Sequence, residues 1–136
     1  VADLDKFEEY VEARGLDEYK PNDITGTLTQ MFYDFAVKWR GVVIYGLDFE
    51  RGTEEVIIEI PMPGEIDGIV RDLEQIRRAI NQLGGSITIV VLRDYVLCKP
   101  ARNRREAYYG TPGRSRALKI LRSIKRRGGN KVFVET

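Results

Sequence analysis

The charge of this chain is segregated along its length, and that limits how it can fold. Residues 1–98 hold 10 Lys/Arg against 19 Asp/Glu, whereas residues 99–136 hold 12 against 2. The net charge of +1 thus conceals an acidic body followed by a basic third. A block of like charge on this scale needs an opposing surface. Either it docks on acidic groups of its own fold or of a neighbouring subunit, or it stays exposed for a polyanion. Eight arginines, four lysines and the adjacent Tyr108 and Tyr109 fall between Lys99 and Lys131. That is the electrostatic footprint expected of a nucleic-acid partner, and the acidic body disfavours indiscriminate binding.

A length of 136 residues, 43% of them hydrophobic, suits a single domain over 1–136 with a basic segment at 99–131. No apolar run approaches the roughly 18–20 residues of a membrane span. The opening Val1-Ala2-Asp3-Leu4-Asp5 lacks the basic and apolar regions of a signal peptide, so a cytoplasmic location without a membrane partner is expected. The lone Cys98 excludes an internal disulfide or a thiolate metal cluster, and its apolar neighbours suit a small buried hydrophobe. The absence of histidine removes Ser-His-Asp and Cys-His hydrolases, His-based nucleases and zinc sites with nitrogen ligands. Arginine outnumbers lysine 15 to 7 and charge is dense, a composition that leans toward a thermophilic source.

Periodicity supplies the elements. Asp3 or Asp5 can cap a first helix with Leu4, Phe7 and Val11 on one stripe, stopped by Gly15. Residues 16–22, with Pro21, read as a connector. Asp23 or Thr25 can start a second helix to about Trp39, in which Ile24, Leu28, Met31, Phe32 and Phe35 face a core. Residues 42–49 and 54–60 predict a hairpin, ended by Pro61 and Pro63. A long third helix carries Ile66, Ile69, Val70, Leu73, Ile76, Ile80 and Leu83, stopped by Gly84-Gly85. Residues 86–92 and 95–99 predict a second hairpin around Arg93-Asp94, a turn without the usual glycine. Residues 100–113 read as a loop. Pro112 opens a fourth helix with Ala117, Ile120, Leu121 and Ile124 buried, and residues 131–135 form a last strand suited to a sheet edge. The order α-α-β-β-α-β-β-α-β implies an α+β fold: a mostly antiparallel sheet of four to five strands with helices on one face.

The basic segment pairs cations with rings. Lys99, Arg102, Arg104, Arg105, Arg114 and Arg116 can reach several phosphates, and Tyr108 and Tyr109 offer flat faces to bases. In a duplex those base faces are hidden, so the combination favours a single strand. Lys119, Arg122, Arg126 and Arg127 continue the charge along the helix. At 100° per residue they form no narrow row but cover its flanks and outer face. Upstream, Trp39 and Arg40 lie off the buried stripe of their helix and form a second ring-and-cation pair for a base.

No catalytic constellation, metal site or cofactor site emerges. A metal-dependent nuclease could use Asp48 and Glu59, but Pro61 stands where its lysine would be needed. Gly110-Thr111-Pro112-Gly113-Arg114-Ser115 lacks the Gly-Lys-Ser/Thr ending of a phosphate-cradling loop. In layout, with N-terminal helices, Phe32-Tyr33-Asp34-Phe35 leading to Trp39, two hairpins and a basic end, the chain resembles the ThermoDBP family of archaeal single-stranded DNA-binding proteins. The resemblance implies a non-OB fold whose apolar cleft, rimmed by basic residues, takes the bases of one strand, and a homodimer as its assembly. That family is associated with a C-terminal dimerising helix, where this sequence has Val132-Phe133-Val134-Glu135-Thr136. The expected function is non-enzymatic, largely sequence-independent binding of single-stranded DNA. RNA binding is one alternative, and a structural or viral interaction protein docked on an acidic neighbour is another.

Overall fold

A computed structural model describes residues 1–17 and 22–135; residues 18–21, inside the expected connector with Pro21, and Thr136 lie outside the described residues. In chain order the elements are β1 (Ala2–Leu4), α1 (Phe7–Arg14), α2 (Asp23–Trp39), β2 (Val42–Tyr45), β3 (Glu55–Glu59), α3 (Asp67–Gln82), β4 (Ile87–Leu92), α4 (Arg104–Tyr109), α5 (Pro112–Arg126) and β5 (Val132–Glu135). They make an α+β fold around a five-stranded sheet of order β2-β3-β1-β4-β5. β1 runs antiparallel to both β3 and β4, β2 antiparallel to β3, and β5 parallel to β4 at the edge. The sheet is therefore mixed, its one parallel ladder spanned by the α4–α5 crossover.

Local chemistry sets the boundaries. Asn22 rather than Asp23 caps α2: its Oδ1 accepts from the Ile24 and Thr25 amides, both at 3.0 Å, while Thr25 Oγ1 accepts from the Asn22 amide at 3.0 Å. That reciprocal box satisfies three otherwise orphaned donors. Neither Asp3 nor Asp5 caps α1; the capping position is Lys6, and Asp5 turns to Ser86 and Thr88. The β2–β3 turn is held by Asp48 Oδ1, which accepts from the amides of Glu50 and Arg51 at 2.9 Å. Gly52 there has φ +88° and lies against the Thr25 side chain, leaving no space for a Cβ.

Alternation along the strands divides the apolar residues between two layers. Ala2, Leu4, Val56, Ile87 and Ile89 meet α1, α2 and α3 through Phe7, Val11, Ile24, Leu28, Phe32, Ile69, Leu73 and Ile80. Ile44, Ile57 and Val90 meet α4 and α5 through Ala107, Tyr108, Ala117, Leu118 and Leu121. Helices thus cover both faces, not one, because the chain crosses the sheet after β4.

Two further expectations change. Residues 95–99 form no strand: Tyr95 and Leu97 are exposed, and the fifth strand is supplied by β1 instead. Within the expected loop of residues 100–113, α4 forms because Asn103 Oδ1 accepts from the Glu106 amide at 2.8 Å. No described helix is long and apolar enough to cross a membrane.

Replacing Gly52 by alanine is expected to lower the free energy of unfolding by about 2 kcal/mol or more, since it combines a strained φ with a steric conflict at Thr25. Urea unfolding followed by circular dichroism measures it; an unchanged midpoint would show that the turn relaxes freely.

Candidate nucleic-acid interface

The basic third divides into cations used by the fold and cations left to solvent. α5 starts where Thr111 Oγ1 accepts from the Arg114 amide at 3.1 Å, with Pro112 at the first position. That start turns Arg114 inward. Its side chain is 6% exposed, and its Nε and Nη2 donate to Glu59 at 3.2 and 3.4 Å. Nη1 donates to the carbonyls of Ala107 and Glu106 at 3.2 and 3.4 Å. A guanidinium so enclosed is a bracket between α5, α4 and β3, and no phosphate can reach it.

Tyr108 is also internal. It is 1% exposed and packs in the α4–α5 core. Burial first, then the carboxylates of Glu55 and Asp3, push its phenol above the ordinary range. The Arg104 guanidinium lies 4.8 Å from the centre of its ring and donates to Glu55 at 2.8 Å. Tyr108 is thus unavailable as a stacking platform, and Arg104 is spent on its own fold.

Lys125 closes the other end. Its Nζ contacts Asp3 and Asp5 at 3.1 Å each and donates to the Leu4 carbonyl at 2.8 Å. Burial alone would raise the Asp5 carboxyl. Hydrogen bonds from Ser86, Thr88, the Asn130 amide and Lys125 outweigh it and hold Asp5 below its usual value. Asp3 moves the other way, because burial dominates its attraction to Lys125. Arg116 reaches Glu135 at 2.8 Å, and Arg102 pairs with Glu106 at 2.9 Å on the surface.

The remaining cations point outward. Arg105, Lys119, Arg122 and Arg126 are exposed and form no ion pair among the described residues. On α5, Arg116, Lys119, Arg122 and Arg126 span an arc of about 120°, opposite Ala117, Leu118 and Leu121. No acidic residue occurs in α5. Tyr109, one position beyond the buried Tyr108, is 59% exposed. Lys99 is exposed in the segment leading to α4.

Trp39 and Arg40 are not brought to this face. α2 lies in the opposite layer, where Trp39 Nε1 donates to Asp72 at 2.8 Å and the ring covers Gly68. Arg40 occupies the left-handed terminus of α2 and is exposed. Asp48 and Glu59 are likewise separated, one holding a turn and the other the buried arginine. No cluster of metal-ligating side chains occurs among the described residues.

One ring escaped the sequence reading. Tyr95 is 95% exposed, and the neighbouring Asp94 lies against Gly113 at the start of α5. The missing glycine in Arg93-Asp94 was the signal that no hairpin forms there and that the tyrosine stays outside. Comparison with protein-family models, with curated proteins and with solved structures finds no match to this chain.

Replacing Arg114 by alanine strands a buried Glu59 carboxylate and is expected to cost about 3–5 kcal/mol. The double change Glu59→Leu with Arg114→Met should cost much less; equal losses in urea unfolding would deny that the pair is coupled. The depressed Asp5 carboxyl stabilises the fold above its unfolded value of 3.8, and that contribution is lost as pH falls through its folded value. Asp5→Asn should therefore weaken the fold at neutral pH and flatten its loss of stability below about pH 4. An unaltered acid limb would assign the effect to other carboxylates.

Proposed function

We propose that this protein binds single-stranded DNA, with little sequence preference, on the solvent face of α4 and α5. The observation that carries the reading is the acid-free outer arc of α5, where Lys119, Arg122 and Arg126 have no internal partner among the described residues. Cations held on a rigid helix and uncompensated by the fold attract phosphates and release their counterions. The fold is not what these side chains serve, since Arg104, Arg114 and Lys125 already tie the helices to the sheet.

Tyr109 and Tyr95 provide the stacking faces in place of Tyr108 and Trp39. Each stacked base contributes about 1–3 kcal/mol and reads no sequence.

Fluorescence anisotropy with labelled single-stranded DNA, duplex DNA and RNA of equal length tests this. Single-stranded DNA should bind tightest. The logarithm of its affinity should fall with the logarithm of salt concentration by about 0.7 per phosphate, about 3 in all for Arg105, Lys119, Arg122 and Arg126. Joint replacement of Lys119 and Arg122 by alanine should weaken binding and reduce that slope, and Tyr109→Ala should weaken it without altering the slope. Binding independent of salt, or no binding at low salt, would overturn the proposal; preference for RNA would reassign the ligand.

A further inference from the structure

Residues 99–136 contain two acidic residues, Glu106 and Glu135, and each holds an arginine of that same basic third. Arg102 Nε donates to Glu106 at 2.9 Å, and Arg116 Nη2 lies 2.8 Å from Glu135. The other ion pairs of the segment reach back to the acidic body: Arg104 to Glu55, Arg114 to Glu59, and Lys125 to Asp3 and Asp5. Those pairs tie α4 and α5 to the sheet. The two local pairs are different in kind. Arg102 and Arg116 are 88% and 59% exposed, so both pairs are solvated and contribute little to stability. The Arg116 pair is also poorly aligned. Glu135 Oε2 is shielded from water, yet it accepts no hydrogen bond among the described residues. An enclosed carboxylate oxygen in that state costs stability.

Position gives these pairs a meaning that stability does not. Arg116 stands about one turn before Lys119 on the cationic arc of α5. Tyr109 precedes that helix, and Asp94, beside Tyr95, packs against Gly113 at its start. A strand that leaves Lys119 for the two rings therefore passes Arg116, where a carboxylate already sits. Arg102 likewise lies three residues before the exposed Arg105, with Glu106 upon it. A carboxylate offers a guanidinium the same pair of oxygens as the edge of a phosphate. Being part of the chain, it also competes at high effective concentration.

We propose that Glu106 and Glu135 are internal stand-ins for phosphate, a brake that rests on and acts at the single-strand site proposed above. They occupy Arg102 and Arg116 and limit the strand to the phosphates of Arg105, Lys119, Arg122 and Arg126. Affinity is thereby capped, and a bound strand stays exchangeable.

Anisotropy with labelled oligothymidine tests it. The double change Glu106→Gln with Glu135→Gln should bind about tenfold tighter than wild type at low salt, a few-fold for each arginine released. Its logarithmic salt slope should steepen from about 3 to about 4, two more phosphates at about 0.7 each. Removing two acids also weakens long-range repulsion, and a mutant cycle separates that effect from release of the arginine. Arg116→Ala should cost little in wild type and about threefold or more in the Glu135→Gln variant. Urea midpoints of the glutamine variants should match wild type, which places the effect in binding rather than folding. Equal costs of Arg116→Ala in the two backgrounds, or an unchanged salt slope, would overturn the brake and leave the single-strand site standing. Absence of binding by every form at low salt would overturn both.

Discussion

Three residues hold the sheet together. Among the described residues β3 and β4 meet only through β1, so Ala2–Leu4, flanked by the Val1 and Asp5 backbone bonds to Val90 and Ser86, joins the β2–β3 hairpin to the β4–β5 pair. The inward side chains Ala2 and Leu4 anchor the layer of α1, α2 and α3. The opposite side chain, Asp3, and the following Asp5 receive Lys125 from α5. One short strand therefore fixes the lateral order of the sheet and the seating of the basic helix.

Charge segregation acquires two meanings in this frame. Part of the basic third docks on the acidic body of its own fold: Arg104 on Glu55, Arg114 on Glu59, Lys125 on Asp3 and Asp5. These contacts differ in kind. The Arg114 pair is enclosed and supplemented by backbone carbonyls, so losing one partner is costly. The Arg102–Glu106 pair is solvated and contributes little to stability. What the fold leaves over is a cationic arc on α5, the part of the segment with chemistry to offer a partner.

The elements most legible in the sequence were those with strong local punctuation. α2 runs from Asp23 to Trp39 as expected because Asn22 caps it and the Arg40-Gly41 turn ends it. β1 escaped notice because three residues show no periodicity, and because Asp3 and Asp5 resemble helix caps until Lys125, Ser86 and Thr88 are seen to hold them. Residues 95–99 looked like a strand on composition, yet no neighbouring strand offers them a ladder. α4 was hidden by arginines and glycines, although Asn103 with Glu106 carried a cap signature. For the site, Tyr108 and Tyr109 are equivalent as sequence. One step of about 100° around α4 buries the first and exposes the second, a distinction that exists only once the helix does.

The placement of β1 also orders events in time. As the chain is synthesised, Ala2–Leu4 emerges well before its partners, Glu55, Val56 and residues 87–89. The central strand must wait until residues 87–89 are made before its second ladder can close. Contacts this distant in sequence make assembly slow relative to the helices. Until then β3 and β4 each present an unpaired edge, the state in which a nascent chain of this topology is most exposed to association with its own copies.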